Sequence, residues 1–153
     1  MVQTSIMSRI YFMNILLVNL PNKEIDKLEK IQNTCIGVIF MLPKRTPTTS
    51  YLKELHWLPV RLRIRHKLLT LTYKSLHDEA PEYLKELLQV SDRPQRMKYC
   101  CLLKPNKNDG KFGKRSFMTV APKEWNLLPA EIRNAPSVQA FKKRLKTYLF
   151  SKF

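Results

Sequence analysis

The sequence predicts an all-α protein, an irregular helical bundle with a basic loop or small hairpin around residues 91–115. The chain of 153 residues contains 3 glycines and is 44% apolar, a balance that favours helices over hairpins. Apolar residues recur at spacings of three and four in several segments, which is the period of amphipathic helices. Prolines mark most of the joints between those segments. The length is that of about one domain, so we expect one compact unit.

Residues 1–42 are predicted to contain two helices. The first ends before Pro21 and carries its apolar side chains at Ile6, Ile10, Met13, Leu17 and Leu20. Asn22 is the expected N-cap of the second helix, which continues to Leu42, because an asparagine side chain can accept a hydrogen bond from the first turn. The apolar stripe of this second helix is Ile25, Leu28, Ile31, Cys35 and Val38 or Ile39.

Residues 43–90 are predicted to hold a central basic helix between two short helices. A proline-containing loop begins at Pro43 and leads into the first short helix, TSYLKELH. Pro59 stands where the first turn of the long helix Val60–Leu76 begins, a position at which its missing N–H costs nothing. Pro81 opens the second short helix, PEYLKELLQ.

Residues 91–115 and residues 116–153 differ in character. The first range is rich in cations and turn residues around the β-prone run YCCLL, so it is predicted as a basic loop or small hairpin. The second range contains a segment around Trp125 and a C-terminal helix with Ser137 as its N-cap. The core stripe of that helix is Val138, Phe141, Leu145, Tyr148 and Leu149. Trp57 and Trp125 are both expected to fill the core rather than to stack on bases.

The composition points to an anionic partner. Lys and Arg number 28 against 12 Asp and Glu, a net charge of +16, so nucleic acid is the first candidate partner and an anionic membrane surface the second. The longest early apolar run, IYFMNILLV, is 9 residues and falls short of the ~20 that a membrane-spanning helix needs, so no membrane span is expected. Nucleic acid, and no membrane, is the predicted partner. Three cysteines, two of them adjacent at Cys100 and Cys101, form no disulfide framework and fit an intracellular protein.

The long basic helix leaves one polar stripe when its residues are placed on a helical wheel. The stripe consists of Arg63, Lys67, Thr70 and Lys74. Phosphate contacts and an ordinary solvated face are both open interpretations of this stripe. Residues 55–77 contain no acid, which favours phosphate contacts. Arg61 and Arg65 lie between leucines, where we expect their charged heads to reach the edge of the packing.

A second set of cations lies on the C-terminal helix at Lys142, Lys143 and Lys146. Further cations crowd residues 98–115, outside either helix. Several cationic surfaces on one small chain favour a polyanion partner over isolated solvated faces. We therefore take Lys142, Lys143 and Lys146 as a secondary patch of candidate phosphate contacts, beside the primary set of Arg63, Lys67 and Lys74.

Motifs for catalysis, metal binding and nucleotide binding are missing from the sequence. His66 and His77 share a helix face but are 11 residues apart, about 16 Å along the axis, which is too far for one zinc ion. Neither GxGxxG nor GxxxxGK[ST] occurs, and the four aspartates are isolated from one another. We therefore predict that the chain is not an enzyme by itself and uses no cofactor, no metal and no small-molecule substrate.

Five sequence blocks occur in a specific order: LHWLP, LLTLTYK, APEYL, APKEWNLLP and FKKRLKTYLF. Together they resemble the carboxyl-terminal region of the reverse transcriptase reading frame of jockey-like non-LTR retrotransposons. SRIYFMN and NLPNKEIDKLEKIQN resemble the segment that follows the polymerase palm in that family, so the resemblance covers residues 8–150. It implies a thumb-and-tail fragment in which residues 1–42 are thumb-like.

The resemblance also limits the function that can be expected. In that family the polymerase carboxylates belong to an upstream palm and the endonuclease lies further upstream, so no catalytic residue is carried over to this chain. The leading hypothesis is a non-catalytic fragment of an RNA-directed DNA polymerase that binds RNA or an RNA–DNA hybrid without sequence preference, next to the upstream polymerase domain of the parent protein. The alternative is a structural relic of a truncated element with no binding activity. Residual polymerase activity is the third hypothesis, and no carboxylate cluster supports it.

Overall fold

The prediction of an all-α fold is confirmed by a computed structural model, which describes residues 8–12, 14–18, 20–91, 102–106, 110, 113 and 116–153. Within these ranges the chain forms eight α-helices and one 3₁₀ helix. They are α1 (Ser8–Tyr11), the 3₁₀ helix η1 (Asn14–Leu17), α2 (Asn22–Ile39), α3 (Thr49–Glu54), α4 (Val60–Leu76), α5 (Glu82–Glu86), α6 (Phe117–Asn126), α7 (Ala130–Arg133) and α8 (Val138–Ser151).

Helix α4 is the centre of the molecule, and its bounds are the predicted ones. It contacts α8, α6, η1, α2 and α5. Seven of its residues are buried: Val60, Ile64, Leu68, Leu69, Thr72, Tyr73 and Ser75. Burial on several sides explains why apolar residues cover most of its circumference.

Helices α4 and α8 run antiparallel around an aromatic cluster. The ring of Tyr73, late in α4, stacks on Phe141, early in α8, with centroids 4.4 Å apart. Its hydroxyl donates a 2.6 Å hydrogen bond to the Ala135 carbonyl just before α8. Trp125 of α6 packs against the same two rings. Trp57 and Trp125 are both buried, so the prediction that they fill the core is confirmed.

Helix α8 follows its predicted pattern. The Ser137 hydroxyl accepts a hydrogen bond from the Ala140 N–H, which is the N-cap that the sequence predicts. The predicted stripe is buried at Val138, Phe141, Leu145 and Leu149 and half-buried at Tyr148. A second, smaller core joins α2 to α3 through Cys35, Ile36, Leu52 and Trp57.

The prediction of one continuous first helix is wrong. The structure has the short helix α1 and the separate 3₁₀ helix η1 in its place, while Ile6 and Met13 lie outside the described residues. After η1 the chain continues in three-residue turns, because the Val18 N–H bonds to the Ile15 carbonyl and the Leu20 N–H to the Leu17 carbonyl. Apolar residues spaced three apart suit a 3₁₀ turn as well as an α-helix, so the pattern could not distinguish the two.

Helix α2 departs from its prediction at both ends. Pro21, and not Asn22, is at the N-cap, and the Asn22 side chain accepts a hydrogen bond from Arg61. The helix ends at Ile39 rather than Leu42. The predicted stripe is correct at Ile25, Leu28 and Cys35 but wrong at Ile31, Val38 and Ile39, which are exposed while Gln32 and Ile36 are buried. The buried face turns because this half of α2 packs on α3 and on the start of α4.

A backbone bridge closes the first part of the predicted basic excursion of residues 91–115. Val90 pairs with Leu103 in an isolated antiparallel bridge, flanked by hydrogen bonds from the Ser91 N–H to the Leu102 carbonyl and from the Lys104 N–H to the Gln89 carbonyl. The side-chain amide of Asn126 in α6 bonds to both backbone groups of Leu103, at 3.0 Å and 2.8 Å. Within the predicted loop or hairpin, residues 92–101, 107–109, 111–112 and 114–115 lie outside the described residues, and with them Cys100, Cys101 and every cation of that range except Lys104.

Candidate nucleic-acid interface

His66 lies at the contact between α4 and α8. Its Nε2 atom is 3.4 Å from the backbone carbonyl oxygen of Lys142. The imidazole is half-buried, and the two helices run antiparallel at this point. The middle of α4 therefore lies against the part of α8 that carries Lys142.

The charges around His66 are positive. Burial lowers the pKa of His66 below its ordinary value of 6.5, and the hydrogen bond to the Lys142 carbonyl opposes this shift. The positive charges of Arg63, Lys146 and Lys142 lower the pKa further. Since Arg63 belongs to α4 and the lysines belong to α8, cations from both helices act on one imidazole. His66 is consequently neutral at pH 7.

Lys67 adds a fourth cation to this region. Burial lowers the pKa of its ammonium group below the ordinary value of 10.5, and the neighbouring charge of Arg63 lowers that pKa as well. Residues four apart lie on the same helix face, so Arg63 and Lys67 are successive members of one row on α4, as Lys142 and Lys146 are on α8. We call Arg63, His66, Lys67, Lys142 and Lys146 the α4–α8 cationic cluster.

Two of the six predicted contact residues lie away from this cluster. Lys74 is eight residues beyond His66 on α4, about 12 Å further along the helix axis. Lys143 lines a shallow surface concavity with Glu131, Arg144 and Tyr148, next to α7. The structure thus brings together Arg63, Lys67, Lys142 and Lys146, and it leaves Lys74 and Lys143 at separate positions.

Arg61 and Arg65 are paired with acids, which the sequence pattern did not indicate. Arg61 bonds to Asp26 at 2.5 Å and lies 3.3 Å from the Glu29 carboxylate, both on α2. Arg65 contacts the Glu124 carboxylate of α6. Both heads lie at the edge of the packing, as expected, and acids distant in sequence meet them there. Because each of these arginines is paired with an acid, neither is counted in the cluster.

Sequence reasoning missed His66 as part of the site. It considered this histidine only as a metal ligand. The available signal was its position, three residues after Arg63 and directly before Lys67. No local pattern, however, indicates which face of α8 would lie against it. Among the residues that the structure describes, no group of three or more His, Cys, Asp or Glu side chains is close enough to hold a metal ion.

Across the described parts of the chain, no helix combines the length and the apolar character that crossing a bilayer requires. Cys35, between α2 and α3, is buried, and its burial raises the pKa of the thiol. A buried protonated thiol is a poor nucleophile, so this cysteine contributes packing rather than chemistry.

A comparison of the chain with protein-family models, curated proteins and solved structures finds no match. The resemblance to retrotransposon reverse transcriptases therefore rests on the ordered sequence blocks. The function is argued below from those blocks and from the geometry of the cationic cluster.

Proposed function

We propose that this chain is a non-catalytic C-terminal fragment of a non-LTR retrotransposon RNA-directed DNA polymerase, and that its α4–α8 cationic cluster binds the phosphates of RNA or of an RNA–DNA hybrid. The main support is the convergence of cations from two helices on one imidazole. Arg63 and Lys146 are 83 residues apart in sequence, yet both charges act on His66.

The electrostatics of the cluster support an anionic ligand. Arg63 disfavours the positive charge of Lys67, and Arg63, Lys142 and Lys146 disfavour a positive charge on His66, so like charges repel at this surface. A phosphate backbone would offset the repulsion and release the counterions that surround the nucleic acid. If all four cations contact phosphates, the logarithm of the binding constant should fall with the logarithm of salt concentration with a slope of about −3 for single-stranded RNA.

The proposed contacts carry no base specificity. Lysine and arginine heads on phosphates position a nucleic acid without reading its sequence. Trp57 and Trp125, the two largest aromatic side chains, are buried and cannot act as base-stacking platforms. Affinity should therefore depend on salt and on strand length, and very little on base sequence.

One observation favours the alternative, a structural relic with no ligand. All four members of the α4 polar stripe, Arg63, Lys67, Thr70 and Lys74, are half-buried rather than fully exposed. Under this alternative the cations are surface charge that packs partly against the rest of the chain. Removing their charge would then change stability and leave RNA binding, if any, as it was.

A salt titration with a labelled single-stranded RNA separates these possibilities. The test variant carries Arg63→Gln, Lys67→Gln and Lys146→Gln, and the matched control carries Lys23→Gln, Lys30→Gln and Lys44→Gln. The control changes three exposed lysines on α2 and the loop that follows it. Both variants lose three positive charges, so a general effect of net charge is the same in each. Circular dichroism establishes that all three proteins are folded.

We expect the cluster variant to bind at least tenfold more weakly at low salt, with a salt slope smaller by about 2, because three phosphate contacts are lost. The control should stay within about threefold of the unchanged protein, because long-range charge effects at moderate salt are screened. Equal weakening of the two variants would refute the cluster as the binding surface. No binding by the folded, unchanged protein would favour the structural relic.

A further inference from the structure

We propose that His66 takes up a proton when the phosphate groups of a nucleic acid bind at the α4–α8 cationic cluster. Binding of the nucleic acid therefore tightens as the pH falls. This inference rests on the proposed function, and it specifies how that same surface is regulated. It makes His66 part of the phosphate site and not only a packing residue between two helices.

The geometry determines which ring nitrogen of His66 can gain the proton. The Lys142 carbonyl oxygen, 3.4 Å from Nε2, can only accept a hydrogen bond. In the neutral ring Nε2 therefore carries the hydrogen, and Nδ1 is the atom that becomes protonated. The charged groups that act on the ring are Arg63 on its own helix and Lys142 and Lys146 on α8.

The free protein resists this protonation. Burial and the three positive charges of Arg63, Lys146 and Lys142 hold the pKa of His66 below 6.5. Every charge that shifts this pKa is positive, so the site lacks the negative charge that would favour an imidazolium. A phosphate that lies on those same cations supplies it, and the affinity of His66 for a proton must rise.

Thermodynamic reciprocity turns this rise into pH-dependent binding. If RNA raises the pKa of His66, protonation of His66 strengthens RNA binding by the same free energy. A rise of one pKa unit corresponds to about tenfold tighter binding at a pH below both values than at a pH above both. Protonated His66 also adds one more positive charge to the surface that the phosphates contact.

The other two histidines provide internal controls. His56 is exposed, and its Nδ1 lies 3.0 Å from the Glu54 carbonyl in its own turn. His77 stacks on the ring of Tyr73, and its Nδ1 lies 2.9 Å from the Tyr73 carbonyl. His56 precedes α4 and His77 follows it, whereas the cluster surrounds His66 in the middle of the helix. Phosphates on the cluster should therefore act on His66 far more than on His56 or His77.

The direct test follows the three imidazole Cε1–H signals by NMR during a pH titration of the full chain. The titration is made without ligand, with saturating oligouridylate and with inorganic phosphate at the same phosphate concentration. We expect oligouridylate to raise the pKa of His66 by about one unit, the lower end of the effect of a nearby opposite charge. The signals of His56 and His77 in the same spectra are the internal controls. An equal rise with inorganic phosphate would overturn the assignment to a nucleic-acid backbone.

Binding assays give an independent readout. We expect the unchanged protein to bind oligouridylate several-fold more tightly at about pH 5.5 than at about pH 7.5, and the ratio should approach the tenfold limit of one pKa unit only below the lowered pKa of free His66. His66→Gln keeps a donor near the Lys142 carbonyl but cannot be protonated, so most of the pH dependence should disappear. His56→Gln, the matched control, should retain it.

The outcomes distinguish this inference from the proposed function. Salt-dependent RNA binding with an unchanged pKa of His66 would overturn the proton linkage and leave the phosphate-binding function standing. The absence of RNA binding at both pH values would overturn both. If His66→Gln fails to fold, the NMR titration decides the question without any variant, because it measures the pKa of His66 in the unchanged chain.

Discussion

Gln32 joins α2 to the beginning of α4 through a buried side chain. Its Nε2 donates a 3.0 Å hydrogen bond to the Leu58 carbonyl, and its Oε1 accepts one of 3.2 Å from the Val60 N–H. Val60 is the first residue of α4, where backbone N–H groups have no partner inside the helix. At the residue scale, one amide therefore satisfies two backbone groups that would otherwise be buried without partners.

Replacing Gln32 by leucine should destabilise the protein although it makes the core more apolar. The Leu58 carbonyl and the Val60 N–H would both lose their partner, at a cost of about 2–4 kcal/mol in the free energy of unfolding. Urea unfolding measures the change. Gln139→Leu, the same substitution at an exposed position of α8, should alter stability by no more than about 0.5 kcal/mol. If Gln32→Leu lowers the free energy of unfolding no more than Gln139→Leu does, Gln32 does not bridge α2 and α4 as described.

His66 also makes stability depend on pH. Because its pKa is lowered in the folded state, the unfolded chain binds the proton more readily. The stability that neutral His66 contributes is complete above its ordinary value of 6.5 and is lost as the pH falls through 6.5 toward the lowered folded value. We expect the free energy of unfolding of the unchanged protein to fall over this range, and that of His66→Gln to fall less.

Urea unfolding at several pH values between about 5 and 8 measures this difference. His56→Gln is the control, because it removes an exposed histidine outside the α4–α8 contact. It should keep the pH dependence of the unchanged protein. Parallel curves for the unchanged protein and His66→Gln would show that burial of the imidazole at this contact is not costly to the protonated form.

At the element scale, α4 organises the fold because the other helices pack around it. Its two ends are fixed by different interactions, Gln32 at the start and the Tyr73 hydroxyl bond to Ala135 near the end. Its middle, at His66, is the place where α8 brings its lysines alongside. The antiparallel packing of two helices thus builds both the aromatic core and the cationic cluster.

Asn126 attaches the residue 102–106 segment to α6. Its amide makes two hydrogen bonds with the backbone of Leu103, so Asn126→Ala should cost about 1–3 kcal/mol and loosen the Val90–Leu103 bridge. Hydrogen exchange of the Leu103 and Lys104 amides measures the local effect, since both are donors in this region. Asn134→Ala, at the exposed end of α7, is the control and should leave both amides protected. Unchanged exchange in Asn126→Ala would contradict the attachment.

At the scale of the whole molecule, the charge of +16 is unevenly compensated. Arg61 and Arg65 meet acids of α2 and α6, whereas the charges that act on His66 are all positive. Within the part of the chain that the structure describes, a positive field contributed by two helices therefore lies where α4 meets α8. The RNA salt titration tests whether this field, rather than the total charge, determines binding, because its two variants differ only in where three charges are removed.

The sequence by itself determined the all-α class, the bounds of α4 and the buried stripe of α8 with its Ser137 cap. These features depend on residues within a few turns of one another, through apolar period, proline placement and capping. The sequence also indicated most of the candidate contact residues, since cations on one helix face can be read from their spacing.

Only the tertiary structure decided which of those cations meet. Arg61 pairs with Asp26 and Arg65 with Glu124, so these two arginines are not part of the cationic cluster. The packing of α8 on α4 brings the charges of Lys142 and Lys146 to bear on His66. The break in the first helix and the exposure of the end of α2 were also decided by tertiary packing. In each case the deciding contacts join residues far apart in the chain, and no local periodicity records which distant element a helix face will pack against.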